Sequence, residues 1–137
     1  MPNMTRSEQL RAKYRKASGR ARGREERLDR DLIDQLLEQT HDQDVEMRSA
    51  AVQALCPCHV QSNIDRVWNR LLALVDDPAV QVRSLILHTL CDGSPREREA
   101  QVVAALETMY NDPDRKLRRR VRYVLAQYRR TGKINIL

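Results

Sequence analysis

Apolar positions recur on two scales along this chain. Within a segment they fall three or four residues apart, the period of one face of a helix. Between segments the same positions return after 35 residues. Ile33, Trp68 and Val103 fall in register, as do Leu36, Leu71 and Leu106. So do Met47, Val82 and Leu117, then Ala51, Ile86 and Val121, then Leu55, Leu90 and Leu125. Polar positions keep the same interval, in Asp42, Asp77 and Asp112 and in Arg48, Arg83 and Arg118. Spacing this constant marks a repeat array, in which each unit buries its apolar face on its neighbours.

The helical pattern starts at Glu25 and predicts a first helix to about Thr40, with Leu28, Leu32, Ile33, Leu36 and Leu37 on one side. Asp42 is expected to cap a second helix, which Pro57 ends because proline lacks the N–H and clashes with the preceding turn. Ser62 with Asp65 opens a third, and Asp77-Pro78 offers an N-cap and a first-position proline for a fourth, running to about Cys91. Ser94-Pro95-Arg96-Glu97 is a start signal for a fifth. Asp112-Pro113 repeats the earlier cap, and a sixth helix runs to about Arg130, with Gly132 suited to its C-terminus. No segment reads as a strand. The expected fold is all-α, an α-solenoid of three helical hairpins in one domain over 25–132, with repeats at about 25–57, 62–92 and 94–131.

Each unit turns at an Asp and then places an apolar-Arg step before an apolar second helix. The residues are Asp42 with Met47-Arg48, Asp77 with Val82-Arg83, and Asp112 with Leu117-Arg118. Over about Asp31 to Arg130 this resembles the HEAT repeat in its bacterial HEAT-like form. The resemblance implies a right-handed stack. It also implies that the Asp and the Arg six residues later form a ladder between neighbouring repeats, which makes Asp42, Asp77, Asp112, Arg48, Arg83 and Arg118 structural.

The register also marks the ends. Val45 and Val80 give way to Arg115, Ala50 and Leu85 to Arg120, Val52 and Leu87 to Arg122, and Leu37 and Leu72 to Glu107. At the other end Gln39 and Thr40 stand where later copies have Leu74-Val75 and Met109-Tyr110. Terminal repeats need a polar outer face, so three repeats are expected to complete the array, with the first as an N-terminal cap.

Charge changes the picture more than composition does. The net +6 hides two basic ends around an acidic middle. Residues 1–24 carry eight Lys/Arg against Glu8, residues 25–113 carry eight Arg against 17 acids, and residues 114–137 carry nine Lys/Arg against Asp114. Such asymmetry points to an anionic partner. Residues 1–24 are read as a basic, flexible arm, part helical from about Arg6 because Thr5 and Glu8 form a capping box. Its apolar content is thin for a core. Residues 133–137 are an apolar tail that either folds back or docks into a partner. The N-terminal stretch does not read as a signal peptide, since it holds no apolar segment, and no apolar run approaches about 20 residues. Three cysteines, an odd number, suit a reducing compartment, and a cytoplasmic monomer is expected.

Among candidate sites the last helix stands first. Leu117, Val121, Val124, Leu125 and Tyr128 fall on one side. Arg115, Arg118, Arg119, Arg122, Arg129 and Arg130 fall within about 120° of one another on the other. With Arg118 assigned to the ladder, Arg115, Arg119, Arg122, Arg129 and Arg130 form a ridge roughly 20 Å long, able to follow a line of anionic groups. The bland alternative is a soluble capping face. Tyr123 lies near the ridge edge. Cys56-Pro57-Cys58-His59, with Cys91 at the repeat equivalent of Cys56, supplies zinc-ligand types without the usual Cys-x2-Cys spacing. These residues are read as small thiols at helix ends, with no metal or cofactor expected. His88 is read as a packed or edge histidine, His41 as solvated and Trp68 as core. No Gly-rich phosphate loop or Ser/His/Asp set stands out. Some HEAT-like proteins resemble bilin lyases, but only the Cys and His residues bear on that here. The expected function is a non-enzymatic scaffold binding a protein or other anionic macromolecule, with nucleic-acid binding as the alternative.

Overall fold

A computed structural model of the chain describes residues 3–13, 30–56 and 63–134. Among these residues the protein is helical, with no strand. The helices are α1 (Arg30–Gln39), α2 (Val45–Ala54), α3 (Asp65–Ala73), α4 (Val80–Leu90), α5 (Glu99–Thr108) and α6 (Arg115–Thr131). Residues 6–13 form a further helix. A 3-10 turn extends α3 over Leu74–Asp76 and another extends α5 over Met109–Asn111, in the same 35-residue register. None of the described helices is long and apolar enough to cross a membrane.

The helices pack in two rows. α1, α3 and α5 touch in order along one row, and α2, α4 and α6 touch in order along the other. α1 packs on α2, α3 on α4 and α5 on α6 across the rows. The in-register apolar residues meet between them. Leu36, Leu71 and Leu106 are fully buried, as are Ala51, Ile86 and Val121, and Trp68 lies in the same core.

Polar pairs tie one unit to the next. Arg48 donates from Nε and Nη2 to both oxygens of Asp77, over 3.0 and 3.1 Å, and from Nη1 to the carbonyl of Asp42 at 3.0 Å. Arg83 repeats this with Asp112 at 2.8 and 3.2 Å and with the carbonyl of Asp77 at 2.8 Å. Arg118 donates to the carbonyl of Asp112 at 2.9 Å and reaches no carboxylate among the described residues. Bidentate geometry fixes both distance and angle between neighbours.

The repeated aspartates are not the N-caps. α2, α4 and α6 are capped by Asp44, Ala79 and Asp114, two residues beyond Asp42, Asp77 and Asp112. Each repeated aspartate instead accepts from the N–H two residues on, at Asp44, Ala79 and Asp114, over 2.8 to 2.9 Å. This is an Asx turn, in which the carboxylate shapes the entry to the helix and keeps its other face for arginine. Pro78 and Pro113 therefore lie in the turn, before the helix. Ser94 is likewise not the cap of α5: a 3-10 turn over Arg96–Arg98 intervenes, and Arg98 takes the cap position.

Residues 6–13 pack more closely than their composition suggests. The capping box closes, with Thr5 N donating to Glu8 Oε2 at 2.7 Å and Glu8 N to Thr5 Oγ1 at 3.2 Å. The backbone bond from Thr5 holds the Glu8 carboxyl below its ordinary value. Ser7 is buried and Leu10 packs against the core. Arg6 pairs with Asp42 at 3.0 Å, Arg11 reaches Gln53 and Glu46, and Lys13 donates to Gln35. One apolar contact surrounded by directed polar ones is enough to seat a short helix. The remainder of the arm, 14–24, lies outside the described residues.

Thr40 is no outward-facing cap residue. It is fully buried, accepts from Arg70 Nε at 2.8 Å and donates to the carbonyl of Leu37. Its polarity serves an internal hydrogen bond. At the other end of the rows Glu107, Arg115, Arg120 and Arg122 are exposed. Ile134 of the tail is buried in the core cluster, and residues 135–137 lie outside the described residues.

Candidate functional site

α6 is built from two incompatible faces. Leu117, Val121, Val124 and Leu125 are buried against α5 and α4, and Asp114 caps the helix by accepting from Leu117 N at 2.9 Å. Gly132 closes it with φ of 70°, a left-handed conformation that glycine adopts without a Cβ clash. The opposite face is arginine and lysine.

The ridge residues differ in what they touch. Arg115, Arg119 and Arg129 are exposed and make no side-chain hydrogen bond or ion pair with the described residues, and the same holds for Lys116. Arg122 is engaged. Its Nε donates to the carbonyl of Tyr110 at 3.0 Å, its Nη2 to Asn111 Oδ1 at 2.9 Å, and its guanidinium lies 4.3 Å from the Tyr110 ring centroid. It holds the 3-10 turn after α5. Arg130 donates to Gln127 one turn back. Of the five arginines expected to share one role, three are open and two have structural partners. Tyr123 adds an exposed ring, 59% accessible, one turn beyond Arg119.

Six arginines elsewhere meet carboxylates, while Arg30, Arg70 and Arg96 meet none among the described residues. Arg6, Arg11, Arg48, Arg66, Arg83 and Arg98 each reach an Asp or Glu. On α6 the basic residues crowd the N-terminal half, where a helix carries its positive end and favours acids. The first turn holds no acidic residue. Arg115 with Arg119 and Arg118 with Arg122 set like charges four residues apart, which destabilises an isolated helix by about 0.2–0.5 kcal/mol per pair.

A second polar cluster joins the ends of α2 and α4. Cys56 Sγ donates to Asp92 Oδ2 at 3.4 Å, and His88 Nε2 lies 3.5 Å from the same oxygen. Cys56 is buried, while His88 and Asp92 are 53% and 43% exposed at the side chain. His88 is thus an exposed, paired histidine, set beside the thiol by the contact between neighbouring units. The repeat register points to Cys91 as the neighbour of Cys56, but Cys91 does not belong to this cluster. Burial pushes the Cys91 thiol up to about 12, against the weaker opposing pull of the Arg120 guanidinium, and so keeps it protonated. Cys58 and His59 lie outside the described residues. His41 is exposed in the turn after α1. The spacing His88-x3-Asp92 at a helix end was the available signal for this cluster, but repeat alignment alone does not pair it with Cys56. Comparison of the chain with protein families, with curated proteins and with solved structures gave no match.

Proposed function

We propose that the protein is a non-enzymatic interaction module, a solenoid of three HEAT-like hairpins that takes an anionic macromolecular partner along the exposed face of α6. The observation that carries this reading is the set of exposed cations at Arg115, Lys116, Arg119 and Arg129, which no carboxylate among the described residues meets. Stability gives no reason for them, since like charges at a positive helix end oppose it. An acidic surface of a partner protein supplies the missing charge and lies flat against a straight row of guanidinium groups. Arg122 and Arg118 shape the base of that row through the turn at Tyr110–Asp112.

Tyr123 favours a second reading. An exposed ring next to unpaired arginines suits nucleic acid, with phosphates on the arginines and a base stacked on the ring. Both readings are tested by one titration. The full chain, freed of co-purifying nucleic acid, is titrated against fluorescent duplex and single-stranded oligonucleotides and against an acidic polypeptide at two salt concentrations. Binding to the acidic polypeptide alone, lost on Arg115→Glu with Arg119→Glu, supports the protein reading. Oligonucleotide binding with a log–log salt slope of about −3, weakened by Tyr123→Ala, supports the second. Binding to neither at low salt, or binding unchanged by the double charge reversal, overturns the proposal. Arg122 is a poor probe because its replacement also frees the turn after α5.

A further inference from the structure

The cluster at the ends of α2 and α4 plays no part in the interface proposed above. Its three side chains are a thiol, an imidazole and a carboxylate, and their ligand atoms lie within 4.8 Å of one another. One chemistry for such a trio is nucleophilic. That requires the imidazole between thiol and carboxylate, so that it takes the thiol proton while the carboxylate orients it. Here the order is wrong. Asp92 stands in the middle, accepting from Cys56 at 3.4 Å and facing His88 at 3.5 Å. The carboxylate holds the proton on sulfur, and Cys56 is only 4% exposed to any electrophile.

The other chemistry is coordination, and the distances suit it. Tetrahedral zinc takes sulfur at about 2.3 Å and nitrogen or oxygen at about 2.0–2.2 Å, which puts neighbouring donors about 3.3–3.6 Å apart. Two of the three edges already have that length. The third closes by rotation of His88, whose side chain is 53% exposed. The backbone favours a cation as well. Cys56 follows the end of α2, and His88 and Asp92 bracket the end of α4. Helix C-termini present carbonyl oxygens and partial negative charge, and here two such ends converge.

We propose that Cys56, His88 and Asp92 bind one zinc-class divalent cation that clips the end of α2 to the end of α4. On binding, the Cys56 thiol releases its proton to water and its sulfur donates an electron pair to the ion. Asp92 exchanges its hydrogen bond from the thiol for a bond to the metal. No group changes oxidation state.

The test uses the full chain, reduced and stripped with a chelator, then titrated with Co(II) as a spectroscopic probe. The expected result is one equivalent bound, with a thiolate-to-cobalt charge-transfer band and the intense visible bands of tetrahedral cobalt, both displaced by Zn(II). Cys56→Ser removes the charge-transfer band. His88→Ala and Asp92→Asn, which alter exposed side chains and leave the fold intact by circular dichroism, each weaken binding by about tenfold or more. Absence of a thiolate band overturns the proposal, as does a band that survives both His88→Ala and Asp92→Asn. A band that tolerates those two changes but disappears with Cys58→Ser or His59→Ala assigns the ion to the Cys56–His59 run and equally overturns it.

Discussion

Replacing Arg83 by methionine is expected to be among the most damaging single changes to a charged residue in this protein. Its side chain and that of Asp112 are 9% and 3% exposed, and the two share a bidentate contact at 2.8 and 3.2 Å. Arg83 Nη1 also serves the carbonyls of Asp77 and Pro78 at 2.8 and 3.2 Å. Methionine keeps most of the volume but leaves Asp112 as a buried carboxylate with, among the described residues, only the Asp114 N–H to satisfy it. Removing one partner of a buried pair costs about 3–5 kcal/mol, whereas replacing both with neutral groups of similar size is far milder. Asp112→Asn keeps an acceptor for the Asp114 N–H and removes the stranded charge. The prediction is therefore a coupling. Arg83→Met loses about 3–5 kcal/mol, and Arg83→Met with Asp112→Asn recovers at least about 2 kcal/mol of it. Urea denaturation measures this as a fall in midpoint of roughly 2 M for the single variant, for a slope of about 1.5–2 kcal/mol per M. Arg6→Ala, whose side chain is 64% exposed in its pair with Asp42, gives the scale for a solvated contact, about 0–1 kcal/mol. If Arg83→Met costs no more than Arg6→Ala, or the double variant is worse than the sum of its parts, the ladder does not hold neighbouring units together as argued.

Ser49 is fully buried and its hydroxyl has no hydrogen-bond partner among the described residues, so Ser49→Ala is expected to raise stability by about 1 kcal/mol, read from the same denaturation midpoint. Arg115→Glu puts an acid at the positive end of α6 and relieves like-charge contact, so it is expected to stabilise by about 0.3–1 kcal/mol while weakening partner binding. The carboxyls of Asp42 and Glu8 are held below their ordinary values, chiefly by backbone N–H groups of Asp44 and Thr5 respectively. Folded values below unfolded ones mean that their contribution is present above the unfolded carboxyl range of about 4 and is lost as pH falls through the folded values. The protection of residues 6–13 against amide exchange, taken relative to the intrinsic rate at each pH, should then fall below about pH 4 ahead of that of α3 and α4, and Asp42→Asn with Glu8→Gln should remove that difference.

The parts of the fold that depend on period were legible in the sequence. Leu36, Leu71 and Leu106 share a register because each occupies the same place between two rows, and burial confirms all three. Trp68 followed from the same alignment. Contacts between units at another separation do not follow from the register: the Arg–Asp ladder came from the resemblance, and the Cys56 contact from neither. Arg48 and Arg83 reach carboxylates 29 residues on, and Cys56 reaches Asp92 36 residues on. Aligning equivalents pairs Cys56 with Cys91, yet the Cys56 thiol meets Asp92, one residue further along. Caps were misplaced for a local reason. An aspartate before proline looks like an N-cap, but with two more residues before the helix it makes an Asx turn instead. Thr40 was misread because a polar residue at an apolar register suggests an outer face, whereas Arg70 makes it an internal hydrogen-bond partner. On α6 the arginines were legible as a group. Their division into engaged and open members was not, because it depends on where Tyr110 and Asn111 stand relative to Arg122.

That division argues for what the end of the array does. A polar terminal face is needed for solubility, and interspersed charges of both signs meet that need at little cost. Glu107 shows that an acid is tolerated at this end. A face meant only for solvent has no reason to place Arg115, Lys116, Arg118, Arg119, Arg120 and Arg122 within eight residues, at the helix end where cations are least favourable. Arg118 and Arg122 are accounted for by the turn they hold, through the carbonyls of Asp112 and Tyr110. Arg115, Lys116, Arg119 and Arg120 have no such account among the described residues. Natural sequences break local stability rules mainly where function requires it. On the proposed reading, negative charge arriving from outside the chain resolves the conflict between α6 as a helix and α6 as a charge distribution. This also fixes the sign of the effect. A partner that neutralises these residues should raise the melting temperature of the free protein, and the increase should shrink with salt and vanish in the Arg115→Glu, Arg119→Glu variant.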